Sequence, residues 1–247
     1  MHDHSAQPDP LHATRTLAKL THPALAALLA LANAGPAQAA RPLNTDDARI
    51  VDPGACQLES WARSNRDSTE LWALPGCNFS GNLELTLGGA RLHDAGGSHT
   101  MSLVLQGKTV IKPLTTNSWG WAAALGGAND PGTGSRDVYV YLPVSLSLMD
   151  DRAFLHLNLG AKREGVEHRK QLTWGLAAEH QISDRVGLIG ETFAQDKGRP
   201  FAQLGMRYWV IRDQVQIDTT AGNRLSSGAG ERWFSIGLRL LSPPFLP

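Results

Sequence analysis

Residues 137–160 constrain the fold most, because apolar side chains stand at every second position on both sides of a short polar turn. Valine and leucine alternate with tyrosine, proline and serine before the turn at 149–152, and leucine alternates with histidine, asparagine and glycine after it. Strict period-2 alternation around a short turn predicts a β-hairpin. Each strand has roughly ten residues, close to the about 9–11 tilted residues that a transmembrane β-strand needs.

The same alternation recurs through the chain, with no segment of helical periodicity longer than a turn or two. We therefore predict an all-β fold, an antiparallel transmembrane β-barrel of about 12 strands with short periplasmic turns and longer extracellular loops. A soluble β-sandwich has the same periodicity, but strand length, an export signal, unequal connections and an even strand count favour the membrane. The predicted strands are 55–64, 68–75, 81–91, 99–107, 119–127, 136–148, 153–163, 170–181, 186–195, 200–211, 214–221 and 232–241.

The N-terminus reads as an export signal. Arg15 and Lys19 precede an apolar run at 23–32, and Ala37-Gln38-Ala39 supplies a small-x-small cleavage pattern. The first residues are long and acidic for such a signal, so the true start is expected further in. We predict localisation in the outer membrane of a Gram-negative bacterium, with membrane lipids and the barrel-assembly machinery as partners. The predicted domains are a signal peptide at 1–39, a periplasmic N-terminal segment at 40–54, the β-barrel at 55–241 and a C-terminal tail at 242–247.

The balance of charges narrows the class of partner. The chain has 23 Lys and Arg against 23 Asp and Glu, and this balance argues against a nucleic-acid partner.

Cys56 and Cys77 flank a polar stretch at 64–68 that is a turn candidate, and folding there brings them together at the open end of a hairpin. Because export permits oxidation, we predict a disulfide, with two separate buried thiols as the alternative.

Strand parity separates a leucine face from a polar face, and in a membrane barrel the polar face lines the lumen. A lumen of mixed charge either closes through ion pairs or lines a narrow water path. Twelve strands lie between about 8, which side chains just fill, and about 16–18, which leave an aqueous channel. The predicted lumen-lining residues are Glu59, Arg63, Glu70, Glu84, His156, Asn158, Glu179, Glu191, Arg207, Asp218 and Arg239.

No residue is assigned to catalysis, a cofactor or a metal. His156 faces inward with Ser145 and Ser147 across the hairpin, but the chain has no G-x-S-x-G motif, no metal-ligand spacing and no dinucleotide fingerprint. The leading prediction is a channel or transporter for small or hydrophobic solutes. The alternatives are a closed structural or surface-binding barrel and, less favoured, a barrel enzyme that modifies lipids.

Two stretches carry a resemblance to a known family. Residues 41–54, RPLNTDDARIVDPG, followed by Gln57-Leu58-Glu59, look like the start of mature proteobacterial outer-membrane proteins, and residues 82–89, NLELTLGG, are similar to a recurring early strand in them. These proteins are the transporters grouped with the phenol meta-pathway-associated family. The resemblance implies an outer-membrane β-barrel transporter and carries no catalytic residues across. Outer-membrane barrels usually end on an aromatic residue, whereas Phe245 here is two residues short of the end.

Overall fold

Twelve β-strands, each antiparallel to its neighbours in sequence, close into one barrel in the computed structural model. The structure describes residues 42–132, 134–166, 169–195, 198–225 and 231–246, so the predicted signal peptide lies outside the described residues. No helix in the described ranges is long and apolar enough to cross a membrane. The strands are β1 (Cys56–Asn65), β2 (Ser68–Asn78), β3 (Glu84–Asp94), β4 (His99–Lys112), β5 (Trp119–Asp130), β6 (Ser135–Leu148), β7 (Ala153–Arg163), β8 (Lys170–Gln181), β9 (Val186–Ala194), β10 (Phe201–Ile211), β11 (Val215–Arg224) and β12 (Trp233–Leu241).

The predicted twelve-stranded antiparallel barrel is confirmed, and eleven of its strands end within three residues of the predicted bounds. The exception is β4, which continues to Lys112 although the sequence predicted its end at Gly107. A glycine and a lysine interrupt the leucine alternation there and resemble the end of a strand. In the structure the lysine, Lys108, occupies a buried inward position of the same strand.

The barrel closes through the first and last strands, with Gln57 opposite Leu241 and Asn65 opposite Trp233. Closure pairs the two edges that an open sheet would leave free, and in lipid every backbone polar group needs such an internal partner. We call one rim the turn end; it holds the start of β1, the end of β12 and the connections 79–83, 113–118, 149–152, 182–185 and 212–214. The opposite rim, the loop end, holds the connections 66–67, 95–98, 131–134, 164–169, 195–200 and 225–232.

The two faces of the barrel are inverted relative to a soluble protein. Leucines point outward, with Leu172 and Leu204 exposed by 82% and 73%, whereas the inward Ser145 and Gln216 have no exposed surface. In a soluble sandwich the leucine face would be the buried one. An apolar exterior around a polar interior is the arrangement of a transmembrane barrel.

The predicted disulfide between Cys56 and Cys77 is confirmed. The two residues lie directly opposite each other on β1 and β2, with Cα atoms 4.1 Å apart and an S–S bond of 2.05 Å. The bond sits at the turn end, next to the point where the chain enters β1.

Side chains tie two neighbouring turns together at the turn end. The Asn117 amide donates to Asp150 at 2.6 Å, and the Asp150 backbone N–H donates back to Asn117 at 2.9 Å. The Asp151 carboxylate accepts from the hydroxyls of Ser147 and Thr116. Partial burial alone would raise the pKa of Asp151, but these two donors and the positive charge of Arg49 together hold the pKa below its usual value.

Candidate functional site

The lumen is occupied by the chain's own residues 42–55, which we call the plug. From Ala55 at the turn end the chain runs back through the lumen to Pro42, whose carbonyl accepts from Gln203 at 3.0 Å near the loop end. No plug residue belongs to a strand. The sequence predicted a periplasmic segment at 40–54; its described part lies inside the barrel and joins β1 at the turn end, the predicted periplasmic rim. Seven plug residues are buried: Pro42, Leu43, Thr45, Asp47, Ala48, Val51 and Ala55.

Wall side chains take the place of a neighbouring strand for the first half of the plug. The Glu191 carboxylate accepts from the backbone N–H groups of Asn44 and Thr45, both at 2.8 Å. With its amide assigned in the orientation that satisfies both partners, Asn158 donates to the Asp46 carbonyl at 2.8 Å and accepts from the Asp46 N–H at 2.7 Å. These contacts satisfy backbone groups that would otherwise be buried without partners.

The second half of the plug is bound in the same way. Ser145 Oγ accepts from the Ala48 N–H at 2.8 Å, and Glu84 accepts from the Val51 N–H at 2.9 Å. The Asn78 amide donates to the Val51 carbonyl at 2.8 Å. Each bond joins the plug to a residue at least 27 positions away in sequence, so the docking geometry depends on tertiary contacts with the wall.

One wall lysine pairs with two of the three carboxylates of the plug. Lys108 Nζ lies 2.8 Å from Asp46 Oδ1 and 3.5 Å from Asp47 Oδ1, and the lysine side chain is only 5% exposed. Tyr141 OH donates to the other Asp46 oxygen at 2.8 Å. A buried ion pair of this kind contributes little net stability, but removing one partner leaves a costly uncompensated charge.

A network of buried polar side chains begins beneath the plug at Ser145. Its Oγ lies 2.7 Å from His156 Nδ1, and His156 Nε2 lies 3.4 Å from Glu179 Oε1. Glu179 is also bound by the Arg207 guanidinium at 2.7 and 2.9 Å. The serine and histidine predicted to lie near each other do meet. However, Ser145 Oγ is fully buried and already accepts the plug's Ala48 N–H, an arrangement suited to docking the plug.

All eleven predicted lumen-lining residues lie on inward positions of their strands, in two groups. The first group is associated with the plug: Glu84, Asn158 and Glu191 contact it directly, whereas His156, Glu179 and Arg207 are linked to it through Ser145. The other five residues lie elsewhere on the wall, some of them near the loop end. Arg239 is 3.8 Å from Glu59, Arg63 is 4.0 Å from Glu70, and Asp218 is buried.

The sequence reasoning did not single out Lys108, Gln203 or Asn78 as lumen residues. Lys108 was left out because β4 was predicted to end one residue earlier. Gln203 follows the parity that was noted for β10 but carries no charge, and charge was the main criterion. Asn78 lies beyond the predicted end of β2, so parity was not applied to it.

Cavities remain beside the plug among the described residues. One, of about 200 Å³, is lined by Trp61, Lys108 and Tyr141 among others. The second, of about 310 Å³, opens at the loop end against the ring cluster of Phe193 and Trp233. Asn44 and Arg63 line both cavities. Within the described ranges, no group of His, Cys, Asp and Glu side chains is arranged to hold a metal ion.

Comparison with solved structures identifies barrels of the same fold. The KdgM porin in complex with disordered oligogalacturonate gives a TM-score of 0.61 at 9% identity, covering 74% of this chain and 98% of the porin. The NanC porin gives 0.58 at 8% identity, covering 75% and 98%. The COG4313 outer membrane channel from Pseudomonas putida F1 gives 0.57 at 13% identity, covering 79% and 97%. At these identities the likeness shows the fold, that of outer-membrane β-barrels.

Sequence comparisons give one family and no curated relative. The model of a family described as "Uncharacterised conserved protein UCP029691" matches residues 27–241. A comparison with curated proteins gives no match.

Proposed function

The chain belongs to this uncharacterised family, and we propose that it is an outer-membrane channel for small solutes whose lumen its own plug closes. The observation that carries the proposal is that the lumen is occupied by residues 42–55, which lie outside the strand ladder. The porin and channel fold of its structural neighbours supports the same function. The resemblance of residues 41–54 to phenol meta-pathway-associated transporters extends the proposed solutes to hydrophobic compounds.

The plug can leave without disturbing the barrel. Residues 42–53 are held by hydrogen bonds and by the Lys108 ion pairs, whereas the wall is held by its own closed ladder of strand pairs. Because the plug makes no ladder pairing, its release breaks no strand contact. An equilibrium between docked and released plug would therefore set the fraction of open channels.

The base of the plug, at Gly54, is fixed to the barrel, so the plug would move about this residue when it is released. Gly54 has a left-handed backbone with φ of 74°, a conformation that glycine adopts readily. Its carbonyl accepts from the N–H groups of Phe245 and Leu246 in the C-terminal tail, and its own N–H donates to the Asn78 carbonyl. The Cys56–Cys77 disulfide fixes the next strand position. Release is therefore confined to the residues before Gly54.

The rest of the assignment follows from the barrel. We place it in the outer membrane of a Gram-negative bacterium, inserted by the barrel-assembly machinery, with lipids around its leucine face. Its inward charges, including Glu84, Glu191 and Lys108, are the proposed lining of the open channel. The proposal includes no catalytic step.

A closed structural or surface-binding barrel is the second candidate, favoured by how completely the plug is docked. Side chains from seven of the twelve strands bind it. In that function the plug would be a permanent part of the core. Conductance distinguishes the two candidates.

Planar-bilayer conductance of a deletion variant tests the proposal. The full-length barrel is expected to be open about 10% of the time or less, the usual population of a minor state. Deleting residues 42–50 is expected to give steady conductance, because the lumen then holds no plug. If this variant inserts and remains closed, the channel proposal is wrong. If it conducts but the full-length barrel never opens, the second candidate is correct.

A full-length variant tests the same point without a deletion. A Cβ atom on Gly175 would lie 2.3 Å from Thr45 Oγ1, so Gly175→Val is expected to displace the plug and raise the open fraction. Gly107→Val is the matched control. It lies on the outward face, where the nearest atom is 3.5 Å from the new Cβ, and it should conduct like the unaltered protein.

A further inference from the structure

The carboxylate of Asp46 sits in a site built by the wall. Lys108 Nζ contacts one of its oxygens at 2.8 Å, and Tyr141 OH donates to the other at 2.8 Å. The same tyrosine hydroxyl lies 3.1 Å from Gln106 Oε1, as does Tyr139 OH. The side chains that bind the carboxylate thus come from β4 and β6, and the plug adds one donor of its own, the Asp47 N–H, at 2.9 Å from Asp46 Oδ1.

The site opens onto the cavity of about 200 Å³. The wall charges that line this cavity leave one net positive charge, and the plug residues that line it leave one net negative charge. The wall therefore presents a cationic recess that the plug neutralises. The charged wall residues are Arg63, Lys108, Arg239, Glu59 and Glu84, and those of the plug are Asp46, Asp47 and Arg49.

We propose that Lys108 and Tyr141 form a binding site for small solutes that carry a carboxylate, and that Asp46 is a built-in occupant of this site. The inference rests on the proposed channel function. A solute that binds Lys108 removes the ion pair that holds the middle of the plug. Solute binding and plug release are then coupled, because each favours the other.

The plug competes as a tethered ligand, so its effective concentration is high, on the order of millimolar for a short linker. A free carboxylate must displace it, and the apparent Kd is the intrinsic Kd divided by the fraction of barrels with a released plug. If that fraction is about 10% or less, the intact barrel binds the solute at least about tenfold more weakly than a barrel without a plug.

Apolar surface beside the site suggests a suitable probe. Trp61 and Leu74 line the same cavity, so a carboxylate on a small apolar ring matches both the charge and the walls. Benzoate has this chemistry. Benzamide has nearly the same shape without the charge and serves as the matched control ligand.

Calorimetric titration of the detergent-solubilised barrel tests the site. Benzoate should bind the 42–50 deletion variant at least about tenfold more tightly than it binds the intact barrel, and more tightly than benzamide binds the variant. Lys108→Gln in the deletion variant should weaken benzoate binding about tenfold or more, because a charged hydrogen bond is lost. Lys162→Gln is the control, since this inward lysine pairs with Asp137 at 2.8 Å and lies outside the cavity lining.

The outcomes separate this site from the channel function. A deletion variant that conducts but binds benzoate no better than benzamide overturns the carboxylate site and leaves the channel in place. A variant that binds benzoate through Lys108 but does not conduct overturns the channel and leaves the site. Equal losses from Lys108→Gln and Lys162→Gln also contradict the site.

Discussion

The Arg207 guanidinium reaches the Glu179 carboxylate across an intervening strand, from β10 to β8 past β9. Gly187 on β9 leaves room for the arginine side chain, because a Cβ atom there would lie in tight contact, 3.2 Å from Arg207 Cγ. The bidentate geometry suits a guanidinium better than an ammonium group. A missing side chain on one strand thus lets a buried ion pair join two strands that are not neighbours.

Arg207→Met should destabilise the barrel by about 3–5 kcal/mol, because it leaves the Glu179 carboxylate buried without its guanidinium partner. The double variant Arg207→Met/Glu179→Gln should recover most of that loss, since the remaining amide carries no charge. Urea unfolding of the refolded barrel in lipid vesicles measures both. Equal losses in the single and the double variant would show that the ion pair is not what stabilises this part of the wall.

At the scale of elements, the strands and the plug differ in how far local sequence determines them. Period-2 alternation predicted all twelve strands, because the face of the sheet on which a side chain lies depends only on its position in the strand. The plug has no such periodicity. The side chains that bind the plug backbone lie 27–161 residues away in sequence. Nothing in the local sequence around Asp46 and Asp47 indicates that Lys108 will face them. Lumen positions were therefore predictable by parity, and so was the contact of Ser145 with His156 across one hairpin, whereas the contacts between the plug and the wall were not.

Leu157→Arg tests the outward assignment of β7. The side chain is 40% exposed on the leucine face, and a cation at the bilayer midplane of a barrel costs about 2–4 kcal/mol. Leu157→Met keeps the position apolar and should cost much less. Unfolding in vesicles compares the two variants. If arginine is tolerated as well as methionine, this face does not meet lipid.

For the whole molecule, the closed ladder fixes which connections share a rim but leaves the orientation in the membrane to be tested. Even strand number returns the C-terminus to the rim where β1 begins. Short turns of outer-membrane barrels face the periplasm, so we predict that the turn end does so here. On this orientation the plug enters from the periplasm and points toward the cell exterior.

Epitope tags determine the orientation directly. A tag inserted in the connection 225–232 should be labelled by antibody on intact cells, whereas a tag in the turn 182–185 should be labelled only after the outer membrane is permeabilised. Immunoblots of both strains control for expression. The opposite labelling pattern would reverse the predicted orientation and place the base of the plug outside the cell.

The pairing of β1 with β12 also dictates an order of assembly. Residues 42–51 precede every strand in the chain, yet the space they occupy is enclosed only when the last strand meets the first. Gly54, from which they extend, is itself bound by Phe245 and Leu246, which follow the last strand. The segment that is synthesised before any strand is therefore enclosed, and its base fixed, only after the last strand has paired. A barrel in which β1 and β12 have not met cannot yet be a sealed one.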